Sequence, residues 1–160
     1  MTQLIGIDYS SVSTTAQYTP GTISEAYDGK VYKYVKYDDG TAALDLVAGD
    51  VVYYVDDTGF AAHTVTADAS DASGAELGAG VVQATVTDDA SYFWVQIKGA
   101  ATLSTAIGGS AGDGDPLTAV GAADKALTKA AEADSTGVYK AVCAYAVDAS
   151  DKQIICDFPY

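Results

Sequence analysis

The sequence predicts an all-β fold, a small β-sandwich or barrel-like domain of about nine short strands. Apolar segments recur about every ten residues, and Gly or Asp ends most of them, as is typical of sandwiches and barrels. Valine outnumbers leucine by 16 to 7 and there are 12 tyrosines, a composition that favours pleated over helical surfaces. The length of 160 residues suits one domain.

The strand assignments rest on short apolar runs and on the turn sequences between them. The clearest run is residues 91–99, SYFWVQIKG, which is rich in aromatic and β-branched side chains. Residues 38–40, Asp-Asp-Gly, form a strong turn signal. The nine predicted strands span residues 30–37, 51–55, 60–66, 80–87, 91–99, 103–107, 117–120, 138–147 and 153–158.

Residues 122–132 depart from this pattern. They are alanine-rich, and Ala123, Leu127 and Ala130 would share one face of a helix. A helix this short is marginal without tertiary contacts. Two alternatives remain open here, one short helix or an irregular strand.

The N-terminal residues form a separate region in the predicted organisation, with an arm over residues 1–20 and a single β domain over residues 21–160. The arm is polar and rich in hydroxyl groups. It is either a poorly ordered terminus or a segment that orders against a partner. In the second case Tyr9, Tyr18 and Tyr27 are the expected contact residues, because tyrosine is enriched at interfaces.

The charge balance excludes several classes of partner. The net charge is −14, and all eight basic residues are lysines. Nucleic acids and anionic membrane surfaces are therefore not expected partners. No signal peptide and no apolar run long enough to cross a bilayer is evident, so we expect a soluble protein made in the cytoplasm. The small number of large aliphatic residues predicts a thin core to which a partner contributes burial.

No catalytic set emerges, and the protein is not expected to be an enzyme. Ser110 lies in a G-x-S-x-G match, but no helical pattern follows it, and His63 precedes it in the chain. A surface loop explains the match better. One histidine without a cysteine cluster does not make a zinc site, so His63 is interpreted as a partly buried residue with a local hydrogen bond.

No cofactor or metal is expected either. Acidic pairs and the set Asp68, Asp71 and Glu76 lack the spacing of a calcium loop and are interpreted as solvated turns. A four-residue loop at residues 148–151 would place Cys143 opposite Cys156. Two buried thiols are favoured over a disulfide, because a cytoplasm is reducing.

Several stretches resemble the capsid decoration (cement) proteins of tailed bacteriophages. The most specific is YFWVQIKGA at residues 92–100, followed by AGDGDPL at 111–117. The remaining stretches are residues 20–35, 48–52, 80–82, 142–148 and 154–157. The resemblance implies a small β protein without catalytic activity that binds the outside of the major capsid shell. It further implies location on the virion exterior, the major capsid protein as partner, and assembly as a homotrimer.

An alternative function is a carbohydrate- or host-surface-binding β module displayed on the virion. Tyrosines and Trp94 would then stack on sugar rings. Alternation along the strand places Trp94 on the same face as Tyr92 and Gln96. The opposite face carries Phe93, Val95 and Ile97.

Overall fold

A computed structural model describes residues 6–55, 59–72, 77–130 and 141–159. Within these ranges the chain forms ten strands and one short helix, so the all-β prediction is confirmed. The elements are β1 (Ile23–Glu25), β2 (Val31–Tyr37), β3 (Val51–Tyr54), α1 (Gly59–Ala62), β4 (Thr64–Thr66), β5 (Gly78–Val82), β6 (Tyr92–Thr102), β7 (Pro116–Thr118), β8 (Thr128–Lys129), β9 (Val142–Asp148) and β10 (Gln153–Asp157).

Five of these strands close a β-barrel, and the other strands extend from it. The barrel runs β2, β4, β3, β5, β6 and back to β2, with β2 and β4 parallel and the other neighbours antiparallel. β1 pairs with β2. The C-terminal half of β6 leaves the barrel and pairs with β10, which is followed by β9, β7 and β8. β6 therefore joins the barrel to an outer sheet.

Both faces of β2 are covered, because alternate side chains enter two different clusters. Val35 on β2 and Val95 on β6 belong to the main core. Tyr34 and Trp94 point to the opposite face and form a second cluster with Tyr32. The alternation predicted for the strand that contains Trp94 is confirmed by this division.

The sequence of residues 48–50, Ala-Gly-Asp, forms the turn that leads into β3. Gly49 has φ 95°, and a Cβ at this position would lie 2.7 Å from the Ser104 backbone nitrogen. The buried Asp50 carboxylate accepts a hydrogen bond from the Val47 backbone N–H at 2.9 Å and one from the Ser104 hydroxyl. Lys125 Nζ lies 3.7 Å from the same carboxylate. The turn thus ties three loops together.

The strands predicted at residues 30–37, 51–55, 91–99 and 153–158 are confirmed close to their predicted bounds. The strand predicted at 60–66 is wrong in its first half: residues 59–62 form α1, and His63, with φ 54°, turns the chain into β4. Residues 103–107 form no strand, and from 83–87 only Val86 makes an isolated bridge, to Leu46. These stretches lack continuous pairing partners.

The two remaining strand assignments and the alternatives for residues 122–132 also need correction. The strand predicted at 117–120 is β7, which is shorter and begins one residue earlier. Of the strand predicted at 138–147, residues 138–140 lie outside the described residues, and β9 covers 142–148. The helix alternative for residues 122–132 is wrong for the described part, which forms a turn followed by β8. β1 was not predicted.

Candidate interaction surfaces

An aromatic face on the outside of the barrel is formed by Tyr32, Tyr34 and Trp94. All three rings are buried, and Trp94 is 0% exposed. Their cover comes from the N-terminal residues. Tyr9 stacks on Tyr32 with ring centroids 3.9 Å apart and meets Trp94 edge-on at 5.5 Å. Tyr18 lies 5.3 Å from both the Tyr34 and the Trp94 rings.

Few polar contacts attach this cover, which we call the N-terminal strap (residues 6–18). Ser13 and Tyr92 exchange two backbone hydrogen bonds, of 3.1 and 2.7 Å. The Gln17 backbone N–H donates to the Tyr34 hydroxyl at 3.1 Å. The Tyr9 hydroxyl lies 2.8 Å from Ser24 Oγ. No residue of the strap is itself buried, so it is attached less firmly than the strands beneath it.

The indole N–H of Trp94 has no hydrogen-bond partner among the described residues, although its nitrogen is buried. An unsatisfied buried donor costs about 1–3 kcal/mol. The rings of Tyr9 and Tyr34 lie next to the Trp94 ring, so its surroundings are largely aromatic. Burial on the same face raises the pKa of Tyr32 to about 12, with a smaller contribution from the charge of Asp28. The closed arrangement therefore leaves one hydrogen bond unmade at the centre of the aromatic face.

The three residues predicted to contact a partner occupy two different environments. Tyr9 and Tyr18 pack on the body of their own chain, as described above. Tyr27 is 87% exposed in the turn between β1 and β2. The alternation of the buried strands identified the aromatic face, but the polar sequence of the strap carried no signal for where it would dock.

A second surface lies on the outer sheet and is defined by Val142, Tyr145, Val147 and Ile155, which we call the outer face. Each side chain is 41–49% exposed. Tyr145 and Ile155 are directly opposite each other on β9 and β10. These are four of the eight large apolar side chains exposed in the described part of the chain. This clustering of exposed apolar side chains makes the outer face a candidate interaction surface.

An ion pair between β6 and β10 lies at the border of the outer face. Lys98 Nζ and the Asp157 carboxylate are 3.6 Å apart, on the strands at the edge of the apolar patch. On this side the apolar patch has a charged border, as is common at the rim of protein–protein interfaces. Sequence analysis predicted this hairpin but did not single out its exposed side.

The interior of the barrel contains a lysine that the sequence analysis also missed. Lys33 is 1% exposed, and its Nζ donates to the Tyr54 hydroxyl at 2.7 Å. The same nitrogen lies 5.1 Å from the Tyr54 ring centroid and 5.5 Å from that of Phe60 on α1. The signal was present in the sequence, because period two places Lys33 on the Val35 side of β2.

His63 borders this interior site. Its Nδ1 is buried and has no hydrogen-bond partner within the described ranges, so the predicted local hydrogen bond is absent on that atom. The pKa of His63 is lowered, first by desolvation and then by the charge of Lys33. The ring packs against Gly21, where a Cβ would lie 2.3 Å from Nε2. The histidine therefore acts here as a packing residue beside the strap's end.

Cys143 and Cys156 are free buried thiols, as predicted. Their predicted register is wrong, because Cys156 is opposite Ala144 and a β-bulge follows Gln153. Burial raises the pKa of each thiol to about 12.

The remaining motifs behave as turns. Ser110 is exposed with φ 53°, and the chain continues into β7 rather than into a helix.

The acidic residues also lie in turns. The Asp68 carboxylate accepts backbone hydrogen bonds from Ala42 and Ser70, at 3.1 and 2.8 Å. Asp71 bonds the Thr41 backbone N–H, and Glu76 lies outside the described residues. Asp38, Asp39 and Asp89 bring three carboxylates within 4.8 Å of one another at the surface.

A groove of about 470 Å³ runs between β5, β6 and β10. Its polar lining residues include Gln83 and Gln96. The amide nitrogen of Gln96 donates to the Lys98 and Ala100 carbonyls, so this side chain is already bonded to its own strand. No aromatic side chain lines the groove in the described ranges.

No protein-family model matches the chain, and neither the comparison with curated proteins nor that with solved structures found a match. The fold defines a class, a small closed β-barrel with additional strands outside it. None of the described helical residues form a segment with the length and apolar character needed to cross a bilayer.

Proposed function

We propose that this chain is a capsid decoration protein of a tailed bacteriophage, which binds the outside of the major capsid shell and stabilises it. The observation that carries the proposal is the outer face, an apolar patch on a chain of net charge −14. The resemblance of the β6 sequence and of residues 111–117 to this family gives the patch its proposed partner. Copies of the chain assemble as homotrimers on the virion exterior in this proposal.

The physical mechanism is linkage between binding and shell stability. A ligand that binds the expanded shell, and not its dissociated subunits, shifts the equilibrium away from disassembly. Each copy needs only modest affinity, because many copies act on one lattice. The acidic charge elsewhere on the chain keeps decorated particles apart in solution.

Substitutions on the outer face test the proposal. Val147→Asp and Ile155→Asp each place a charge in the apolar patch and should weaken binding to empty shells roughly 10- to 100-fold, the equivalent of one buried aliphatic side chain. Val47→Asp is the matched control, because Val47 is 47% exposed, against 49% for Val147, and lies outside the patch. Co-sedimentation with shells assembled from the major capsid protein measures the difference. Equal binding by all variants contradicts the proposal.

A carbohydrate-binding module is the alternative, and the aromatic geometry gives it less support. Trp94, the side chain proposed to stack on sugars, is 0% exposed beneath Tyr9 and Tyr18. The groove between β5, β6 and β10 has no aromatic lining in the described part of the chain. A glycan panel that changes Trp94 emission would revive this alternative.

A further inference from the structure

We propose that the N-terminal strap is a displaceable cover, and that an extended segment of the shell protein takes its place on the aromatic face. This inference rests on the proposed function. It assigns Tyr32, Tyr34 and Trp94 a binding role in addition to packing, and it makes the closed strap an autoinhibitory contact.

The strap and the surface beneath it differ in burial. The three rings of the aromatic face are at most 6% exposed, whereas no residue of the strap is buried. The strap touches the body through the Ile7 side chain, two tyrosine rings and a handful of hydrogen bonds. Segments with few buried contacts open at low free energy, so this cover can leave without unfolding the barrel.

The backbone hydrogen bonds between the strap and β6 indicate the chemistry of the occupant. Ser13 binds Tyr92 through the backbone N–H and carbonyl of both residues, at the end of β6. An unpaired stretch of strand edge recognises the backbone of an extended polypeptide, whatever its side chains. The occupant is therefore a polypeptide segment rather than a sugar or a nucleic acid. Its aromatic side chain would replace the ring of Tyr9, which stacks on Tyr32.

The indole N–H of Trp94 offers an incoming segment a hydrogen bond that is unmade in the closed arrangement. With the strap in place this buried donor has no acceptor among the described residues. An incoming segment that presents a backbone carbonyl to Trp94 Nε1 would make one hydrogen bond more than the strap does. The additional hydrogen bond favours the partner segment over the strap. A ligand shifts the equilibrium between the closed and the open strap only if it binds the open state more tightly than the closed one.

Residues 19–22, which follow the strap, mark the C-terminal limit of the segment that is displaced. The Thr22 backbone N–H donates to the Thr19 carbonyl at 3.0 Å, and Gly21 donates to the Tyr34 carbonyl at 2.7 Å. Gly21 also packs against the His63 ring. These contacts hold residues 19–22 on the barrel, so opening takes place before Thr19.

A reversible covalent lock tests the inference. Ser13 and Tyr92 form a hydrogen-bonded antiparallel pair, whose Cα separation of about 5.5 Å suits a disulfide. In a Ser13→Cys/Tyr92→Cys variant, oxidation should weaken binding to empty shells of the major capsid protein at least tenfold, and reduction should restore it. The reduced form is the matched control, because it carries the same substitutions. Wild-type protein with and without oxidant controls for the native thiols.

A second measurement follows the aromatic face itself. The chain has one tryptophan, so 5-fluorotryptophan places a single ¹⁹F label at Trp94. Shell binding should move this resonance if the strap is displaced. Equal binding by locked and reduced forms, or an unmoved resonance on shell binding, overturns the inference and leaves the proposed function standing. Failure of the wild-type chain to bind shells overturns both.

Discussion

Lys33 Nζ lies 2.7 Å from the hydroxyl oxygen of Tyr54 in the barrel interior, and no described carboxylate lies within ion-pair distance of it. Desolvation lowers the pKa of Lys33 to about 8. An unfolded lysine titrates near pH 10.4. Between these two pH values the unfolded state holds more protons than the folded state, so stability gains a contribution from Lys33 as pH rises.

We predict that Lys33→Met/Tyr54→Phe stabilises the protein at pH 7 by roughly 1–3 kcal/mol, because an isolated buried charge and its hydroxyl partner are replaced by apolar groups. The advantage of the variant should shrink as pH rises from 8 to 10. Urea unfolding at several pH values measures it. The buried thiols, whose pKa values are raised to about 12, make stability fall as pH rises. Wild type and variant share both thiols, so this effect cancels in the difference between their free energies of unfolding. A difference that does not vary with pH would contradict this account.

Tyr9→Ala should lower the free energy of unfolding by roughly 1–3 kcal/mol and shift Trp94 emission to longer wavelength, because it removes an aromatic stack and part of the cover. Tyr27→Ala is the control, since Tyr27 is 87% exposed and should change stability by less than about 0.5 kcal/mol. Equilibrium unfolding followed by fluorescence gives both readouts. Equal effects of the two substitutions would mean that the strap does not cover Trp94 in solution.

Gly21→Ala should destabilise the fold by roughly 2–4 kcal/mol, through positive φ and a clash with His63. A Cβ at Gly21 would lie 2.3 Å from the His63 ring, whereas Gly29, with φ 80°, has nothing within 4 Å. Gly29→Ala therefore carries only the cost of positive φ, about 1 kcal/mol. Urea denaturation compares them, and equal losses would show that the turn does not pack on the histidine.

Cys143 and Cys156 should be almost unreactive toward a thiol reagent at pH 8 in the folded protein, because burial disfavours their thiolates. Unfolding in urea should release both thiols at once. A colorimetric thiol assay counts them. Fast labelling in native buffer would contradict the burial of the two thiols on the inner side of β9 and β10.

The strands that could be predicted are those whose sequence carries a complete signal. β2, β3, β6 and β10 combine apolar or alternating residues with clear turns. β1 has only three residues and depends on pairing with β2, which no local pattern reveals. The chain at residues 59–66 changes from helix to strand at His63, whose positive φ is unusual for a residue other than glycine.

The candidate surfaces were less predictable, because they depend on long-range contacts. Alternation correctly separated Trp94 from Phe93, whereas Tyr9 and Tyr18, predicted to contact a partner, pack against the chain's own aromatic face. Their docking on the chain's own barrel requires the three-dimensional position of β2 beside β6. The outer face required the register of β9 against β10, which a bulge shifts from the simple hairpin arrangement.

The central claim is that the chain is a regular component of a phage shell. Quantitative mass spectrometry of gradient-purified particles, counting this chain per major capsid subunit, tests it most directly. We predict a ratio near one or a simple fraction of one. A few copies per particle would indicate a tail or receptor-binding component instead, and complete absence from the particles would contradict the proposed function.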